Sequence, residues 1–272
     1  MTLQLRYKGS TNVPVEVEGI TPCSLRDKTL AEIEQCSIFH GNDKVPLAEF
    51  FDVSGTASNE EMQWLGDLSG VHWIGAKMLR GKISIHGNGG RHIGSELQGG
   101  EIDVEGNAGD WVGAEMHGGT IHVRGNAGHL IGAAYRGSAR GMTGGRILID
   151  GNVGNEIGHT MRRGLLAVGG NAGDLAAFNM LAGTILVFGE SGIRHGAGMR
   201  RGTLGFFGNN SPPLLPSFQH ACRYQPEFVP LLFAQLKGHD FVVPEHLFTT
   251  EFDLYHGDLI EGGRGEILTV AA

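Results

Sequence analysis

A unit of 19 residues recurs through the middle of this chain. Its marks are Gly87-Asn88, Gly106-Asn107, Gly125-Asn126, Gly151-Asn152, Gly170-Asn171, Gly189-Glu190 and Gly208-Asn209. Every interval is 19 residues except that from Gly125 to Gly151, which is 26; a diverged first copy starts at Gly66-Asp67, 21 residues before Gly87. A unit this short cannot bury an apolar face alone, so neighbouring copies must stack and complete one core. The 46 glycines exceed the usual share of about 7%, but they are periodic and mark required turns, not a low-complexity tract.

Aligned on the second glycine of each unit, the copies resolve into columns. A short alternating strand follows that glycine: Ile83 and Ile85, Ile102 and Val104, Ile121 and Val123, Ile147 and Ile149, Leu166 and Val168, Ile185 and Val187, Leu204 and Phe206. Alternation of this kind is the signal of a half-buried strand. Three residues before the glycine stand Met78, Leu97, Met116, Met142, Met161, Met180 and Met199, which read as an interior stack of adaptable side chains. A third column runs Ile74, Ile93, Val112, Ile131 and Ile157, weakening to Ala176 and His195. Units carrying four or five glycines cannot supply long amphipathic helices. The expected fold is therefore all-β, a parallel β-helix (a single-stranded solenoid) of about seven coils spaced roughly 4.8 Å apart. Gly and Asn suit its corners because both accept positive φ, and stacked Asn side chains can bond the coils above and below.

Three regions follow: a non-repetitive cap over 1–65, the repeats over 66–208, and a tail over 209–272. In the cap, Leu3–Tyr7 and Val13–Val17 read as strands and the stretch near Leu30–Gln35 as a short helix. In the tail, a short helix is expected over Phe228–Leu236, after Pro226. The outward positions change along the rod. Early coils expose Lys82, Ser84, His86, Glu101, Asp103, Glu105, His122 and Arg124, whereas late coils place Leu148, Leu165, Ala167, Leu186, Phe188 and Phe207 outside. An apolar outer face must be covered, by the tail or by a partner protein; a partner is the sharper of the two readings.

The 26-residue unit contains the insertion Tyr135-Arg136-Gly137-Ser138-Ala139-Arg140-Gly141, and such insertions form loops on one face. Arg136 and Arg140 join Arg162-Arg163 and Arg200-Arg201, which share a column two coils (about 10 Å) apart. The functional reading is a row of guanidinium groups for carboxylates, on a partner or on a polyanionic cofactor tail; the alternative is surface arginines that confer solubility.

The remaining features exclude more than they assign. A net charge of −8 argues against nucleic acid, and no apolar run reaches 18 residues. The start lacks the apolar core of a signal peptide, and Cys23, Cys36 and Cys222 read as reduced thiols, so the expected location is the cytoplasm. Arg outnumbers Lys 15 to 6. Thirteen histidines fall in no metal-ligand spacing, His117 and His122 belong to different columns, and no nucleophile elbow occurs. Gly87-Asn88-Gly89 is explained by the repeat, not by a dinucleotide fingerprint. No catalytic residue and no metal ligand is assigned. A β-helix carbohydrate-active enzyme, the alternative of another class, would need carboxylates beside stacking aromatics; Trp64, Trp73 and Trp111 are not expected to share an outward column.

The spaced Gly-Asn-x-Gly-x-x-x-Gly units, with Gly141-Met142-Thr143-Gly144-Gly145 after the insertion, resemble the C-type subunit of formylmethanofuran dehydrogenase over nearly the whole chain. Over residues 66–208 they are similar, more distantly, to the glycine-repeat domain of the glutamate synthase large subunit. The first resemblance implies a right-handed β-helix that scaffolds a multi-subunit one-carbon enzyme and carries no catalytic residues itself. In archaea that enzyme is a molybdenum or tungsten formylmethanofuran dehydrogenase. In methylotrophic bacteria it is a formyltransferase/hydrolase complex that moves formyl from tetrahydromethanopterin to a methanofuran analogue and releases formate. The Arg-rich, Lys-poor composition tilts the reading to the bacterial complex. Partners are then the A, B and D type subunits, and the complex uses methanofuran or an analogue and tetrahydromethanopterin, with no cofactor expected on this chain. The arginine row could meet the polyglutamyl tail of the one-carbon carrier.

Overall fold

A computed structural model describes residues 2–9 and 11–271; Met1, Ser10 and Ala272, the first and last of which bound the expected cap and tail, lie outside the described residues. The protein is mostly β. Its N-terminal part contains β1 (Leu3–Tyr7), β2 (Val15–Glu16), α1 (Pro22–Leu25), α2 (Leu30–Glu34), β3 (Ser37–His40), β4 (Asp43–Pro46), β5 (Phe51–Ser54), β6 (Glu61–Leu65) and β7 (Val71–His72). The repeats supply β8 (Lys82–His86), β9 (Glu101–Val104), β10 (Thr120–Val123), β11 (Arg146–Ile149), β12 (Leu165–Val168), β13 (Thr184–Val187) and β14 (Gly202–Phe206). The C-terminal part adds β15 (Gln219–Tyr224), α3 (Phe228–Lys237), β16 (Phe252–Gly257) and β17 (Gly265–Val270).

Thirteen strands form one mixed sheet that is not closed, in the order β15-β16-β17-β14-β13-β12-β11-β10-β9-β8-β6-β1-β5. From β1 to β17 every neighbour is parallel, while β5 and the β16–β15 pair are antiparallel ends. A smaller sheet runs β4-β3-β2-β7. The register follows the repeat: Ile83 faces Ile102, then Ile121, Ile147, Leu166, Ile185 and Leu204. The same register reaches back into the non-repetitive cap, where Met62 and Trp64 of β6 face Ile83 and Ile85.

All three apolar columns are buried, from Ile74 to His195, from Met78 to Met199, and along both inward positions of each strand. Each such aliphatic side chain contributes roughly 1.5–3 kcal/mol by leaving water. Between strands the marker glycines bond directly: Gly106 N–H donates to the Gly87 carbonyl at 2.9 Å, and Gly125 to Gly106 at 3.0 Å. The neighbouring asparagines act as spacers of fixed reach. Asn88 Oδ1 accepts from Asn107 N–H at 2.9 Å, and Asn107, Asn126, Asn152 and Asn171 repeat this bond to the next unit at 2.7–2.8 Å. Gly106 shows why the marker must be glycine: a Cβ there would sit 2.6 Å from both the Gly87 carbonyl oxygen and Asn88 Oδ1.

In the cap, the expected helix forms as α2, closed by a capping box in which Thr29 Oγ1 accepts from Glu32 N–H and Glu32 Oε2 from Thr29 N–H. In the tail, α3 accommodates Pro230 in its first turn, where the missing N–H has no intrahelical partner to lose. Val229, Phe233 and Leu236, at helical spacing, form its buried side.

Candidate functional site

The late outer face is covered by this chain's own tail. Leu148, Leu165, Ala167, Leu186 and Phe207 form a second core with Val229, Phe233 and Leu236 of α3 and with Phe241, Val243 and Leu247 beyond it. The sharper expectation, cover by a partner protein, is therefore corrected, because apolar character outside a strand demands a lid without saying which chain supplies it. Any docking surface has to be sought elsewhere.

The arginines remain outside this lid. Arg162 and Arg200 do share a column: Arg162 N–H donates to Met142 O, Leu181 N–H to Met161 O and Arg200 N–H to Met180 O, each at 2.8 Å. Arg163 and Arg201 follow them into the corner and are exposed, as are Arg136 and Arg140. Arg200 Nε meets Glu261 Oε2 at 3.4 Å. Among the described residues, Arg136, Arg140, Arg162, Arg163 and Arg201 make no ion pair. On a chain with 29 acidic residues and a net charge of −8, five unpaired guanidinium groups on one run of the chain are available to carboxylates from outside.

The first residue of the insertion packs on the earlier units, while Gly141 at its other end donates to Thr160 O of the following unit. Trp73 stacks on His92 at 4.1 Å with planes 4° apart, and His92 lies 6.0 Å from Trp111. Tyr135, the first residue of the insertion, closes on all three at 6.2, 5.8 and 5.2 Å. Its hydroxyl reaches His92 Nδ1 at 3.3 Å, and its backbone N–H donates to Glu115 Oε1 at 3.0 Å. Burial, with His72 and Arg91 nearby, holds His92 down to about 4, and burial pushes Tyr135 up to about 12. Trp73 and Trp111 thus share a column, with His92 between them, contrary to the expectation from sequence; Trp64 alone is elsewhere, fully buried in the core. The signal was present, since 73, 92 and 111 are spaced by 19, but the column lies at a corner and not on a strand. Each of the three takes φ of +61° to +67°, a conformation costly for large side chains, and ring stacking offsets that cost. The clasp fixes where the insertion leaves the sheet, and so where Arg136 emerges.

The histidines separate as expected. His117 bonds Thr143 Oγ1 through Nδ1 at 2.8 Å, while His122 lies on β10 and bonds Asp150 Oδ1 through Nε2 at 2.8 Å. The His122–Asp150 pair was missed because its members are 28 residues apart, in different units. Among the described residues no group of three His, Cys, Asp or Glu side chains could hold a metal ion. Cys23, Cys36 and Cys222 are free thiols.

A family model described as the GXGXG motif matches residues 72–214. The C-type subunit of the molybdenum-containing formylmethanofuran dehydrogenase 1 of Methanothermobacter wolfeii is 42% identical over 84 residues, 30% of this chain and 21% of that protein. The C-type subunit of the tungsten-containing formylmethanofuran dehydrogenase 2 of Methanothermobacter marburgensis is 38% identical over 88 residues, 31% of this chain and 33% of that one. The matched stretch thus spans between a fifth and a third of these relatives' length. Likeness over the full length comes from the crystal structure of the formyltransferase/hydrolase complex (FhcABCD) of Methylorubrum extorquens with methylofuran. One chain of it superposes with a TM-score of 0.90 and 31% identity, covering 99% of this chain and 100% of that one.

Proposed function

Because the chain belongs to the family of C-type subunits of formylmethanofuran dehydrogenase, we propose that it is a structural subunit of a formyltransferase/hydrolase complex and holds its catalytic partners in register. That complex moves formyl from tetrahydromethanopterin to a methanofuran analogue and releases formate. The observation that carries this reading is the end-to-end likeness to a chain of the M. extorquens complex, cap and tail included. The dehydrogenase reading rests on a match covering 30% of the chain and is the weaker one. The partners are the A, B and D type subunits, and the setting is the cytoplasm; no helix among the described residues is long and apolar enough to cross a membrane.

In this reading the repeat units wind as a right-handed parallel β-helix over 66–208, between the 1–65 cap and the 209–272 tail, and the rod is a rigid ruler. Its length is set by the number of rungs, and the faces that the tail leaves uncovered serve for attachment. The exposed arginines of this surface, five of them unpaired among the described residues and Arg200 paired with Glu261, are the attachment chemistry. Arg162, Arg163, Arg200 and Arg201, with Arg136 and Arg140 on the clasped insertion, engage carboxylates of a partner protein or of a polyglutamyl carrier tail.

Tagged chain purified from its source cell is expected to carry the formyltransferase and hydrolase subunits through size exclusion; a chain eluting alone near its own mass would sink the proposal. Changing Arg162, Arg163, Arg200 and Arg201 together to Ser is expected to weaken assembly or lower affinity for the methanofuran analogue. Unchanged assembly and affinity would remove the arginines from the account while leaving the scaffold reading standing.

A further inference from the structure

The outward face of the sheet changes character at His122. Along its column stand Ser84, Asp103, His122, Leu148, Ala167 and Leu186, so His122 is where the polar early face meets the face covered by the tail. The edge of that cover is the loop after α3, Gly238 to Asp240, with Phe241 lying 6.5 Å from the His122 ring. Beneath this overhang is a cavity of about 270 Å³ lined by Lys82, Asp103, His122, Arg124 and Asp240, among others.

His122 is built into this notch, with only 6% of its side chain exposed. The Asp150 carboxylate can only accept, so Nε2 carries the hydrogen of their 2.8 Å bond. In the neutral ring Nδ1 is then an acceptor, and among the described residues it has no partner. The cations of the notch are already committed: Arg124 Nε donates to Asp103 Oδ1 at 3.1 Å and faces Asp150 at 3.9 Å, and Lys82 lies 3.8 Å from Glu101. Asp240 has no ion pair among the described residues. An entering anion would therefore meet Glu101, Asp103 and Asp240 with Lys82 and Arg124 already paired and only the His239 ring unpaired beside them, and no three-ligand metal group is present among the described residues. The loop also follows directly on the C-terminus of α3, the negative end of the helix dipole. A vacant acceptor on a nearly buried ring, an unpaired carboxylate and a helix C-terminus all call for a positively charged hydrogen-bond donor.

We propose that this notch binds a primary ammonium group, carried by a small aliphatic amine or by a lysine side chain, with His122 Nδ1 and Asp240 as its acceptors. The site is separate from the arginine row and does not depend on the assembly proposed above.

The test is a titration of the full chain, labelled with ¹⁵N in its histidine rings, with cadaverine, 1-pentanol and pentanoate. The His122 ring resonances are assigned by their loss in His122→Gln. Cadaverine is expected to shift them saturably, with affinity of about millimolar order, whereas pentanol and pentanoate leave them unmoved. Asp240→Asn, a change at an exposed loop position, is expected to weaken cadaverine by about two- to fivefold while thermal unfolding stays as in the parent. An unmoved His122 resonance with cadaverine, an equal response to pentanol or pentanoate, or undiminished binding in Asp240→Asn would each overturn the assignment.

Discussion

Replacing Phe233 with alanine should loosen the tail from the late outer face before the sheet itself unfolds. The Phe233 side chain is fully buried, its ring 5.7 Å from Phe188, 5.3 Å and edge-on to Phe207, and 5.6 Å from Phe248. Truncation removes the aromatic ring that α3 sets against the sheet and leaves a cavity that a helix tied to β15 by the short connection over 225–227 cannot collapse. Phe→Ala at such a site costs about 3–5 kcal/mol, a figure that already includes the lost ring contacts. A cost of that size is a large part of a whole domain's stability. In a sheet extended strand by strand, however, it falls on the segment that lost the contact, because each strand is coupled chiefly to its neighbours. A separate unfolding step at low denaturant is therefore expected, with hydrophobic dye binding to the uncovered Leu148, Leu165, Leu186 and Phe207. The control is Leu231→Ala on the same helix, where the side chain is 73% exposed and the expected change is within about 0.5 kcal/mol. If Phe233→Ala shifts the transition no more than Leu231→Ala, or unfolds the whole chain in one step with no dye-binding species, the reasoning fails.

Three further outcomes follow from the geometry. Gly106→Ala places a methyl group 2.6 Å from the Gly87 carbonyl and Asn88 Oδ1, and should cost about 1–3 kcal/mol, measured by denaturant midpoint; an unchanged midpoint contradicts the close approach. Asn107→Ala leaves the Asn126 N–H without its 2.8 Å partner and should cost about 0.5–1.5 kcal/mol, with faster amide exchange at Asn126 as its signature. His92, held at about 4 in the folded chain against 6.5 when free, binds a proton more readily unfolded. Its contribution is thus fully present above pH 6.5 and lost as pH falls toward 4. Thermal midpoints should drop over that window in the parent and drop less in His92→Phe, and identical slopes would refute the assignment.

How much of this was legible beforehand depends on what each residue type must do. The inward columns could be read because a buried strand position tolerates only apolar side chains, and that constraint recurs at seven positions from Ile83 to Leu204, spaced by 19 residues except across the 26-residue unit. The Met column was legible for the same reason. Outside the sheet the constraint is weaker. Leu148 and Phe207 announced that something covers them, yet nothing in their identity distinguishes α3 from a foreign surface. Tyr135 could not be placed either, because an insertion has no counterpart in the other units, and its destination on His92 and Trp111 is a tertiary choice. The His122–Asp150 pair depended on how the 26-residue unit meets its neighbour, which periodicity alone does not fix.

The parallel pairing of β14 with β17 has a consequence during synthesis. The edge of β14 is sealed only by Gly265–Val270, so residues 207–264 must leave the ribosome first. At about 5–20 residues per second that leaves a hydrogen-bonding edge and the greasy flank beside it open for about 3–12 s, far longer than a strand needs to find a wrong neighbour. Polysomes carrying several such half-finished chains put identical open edges side by side, which makes the growing chain, more than the finished one, the form that needs a chaperone.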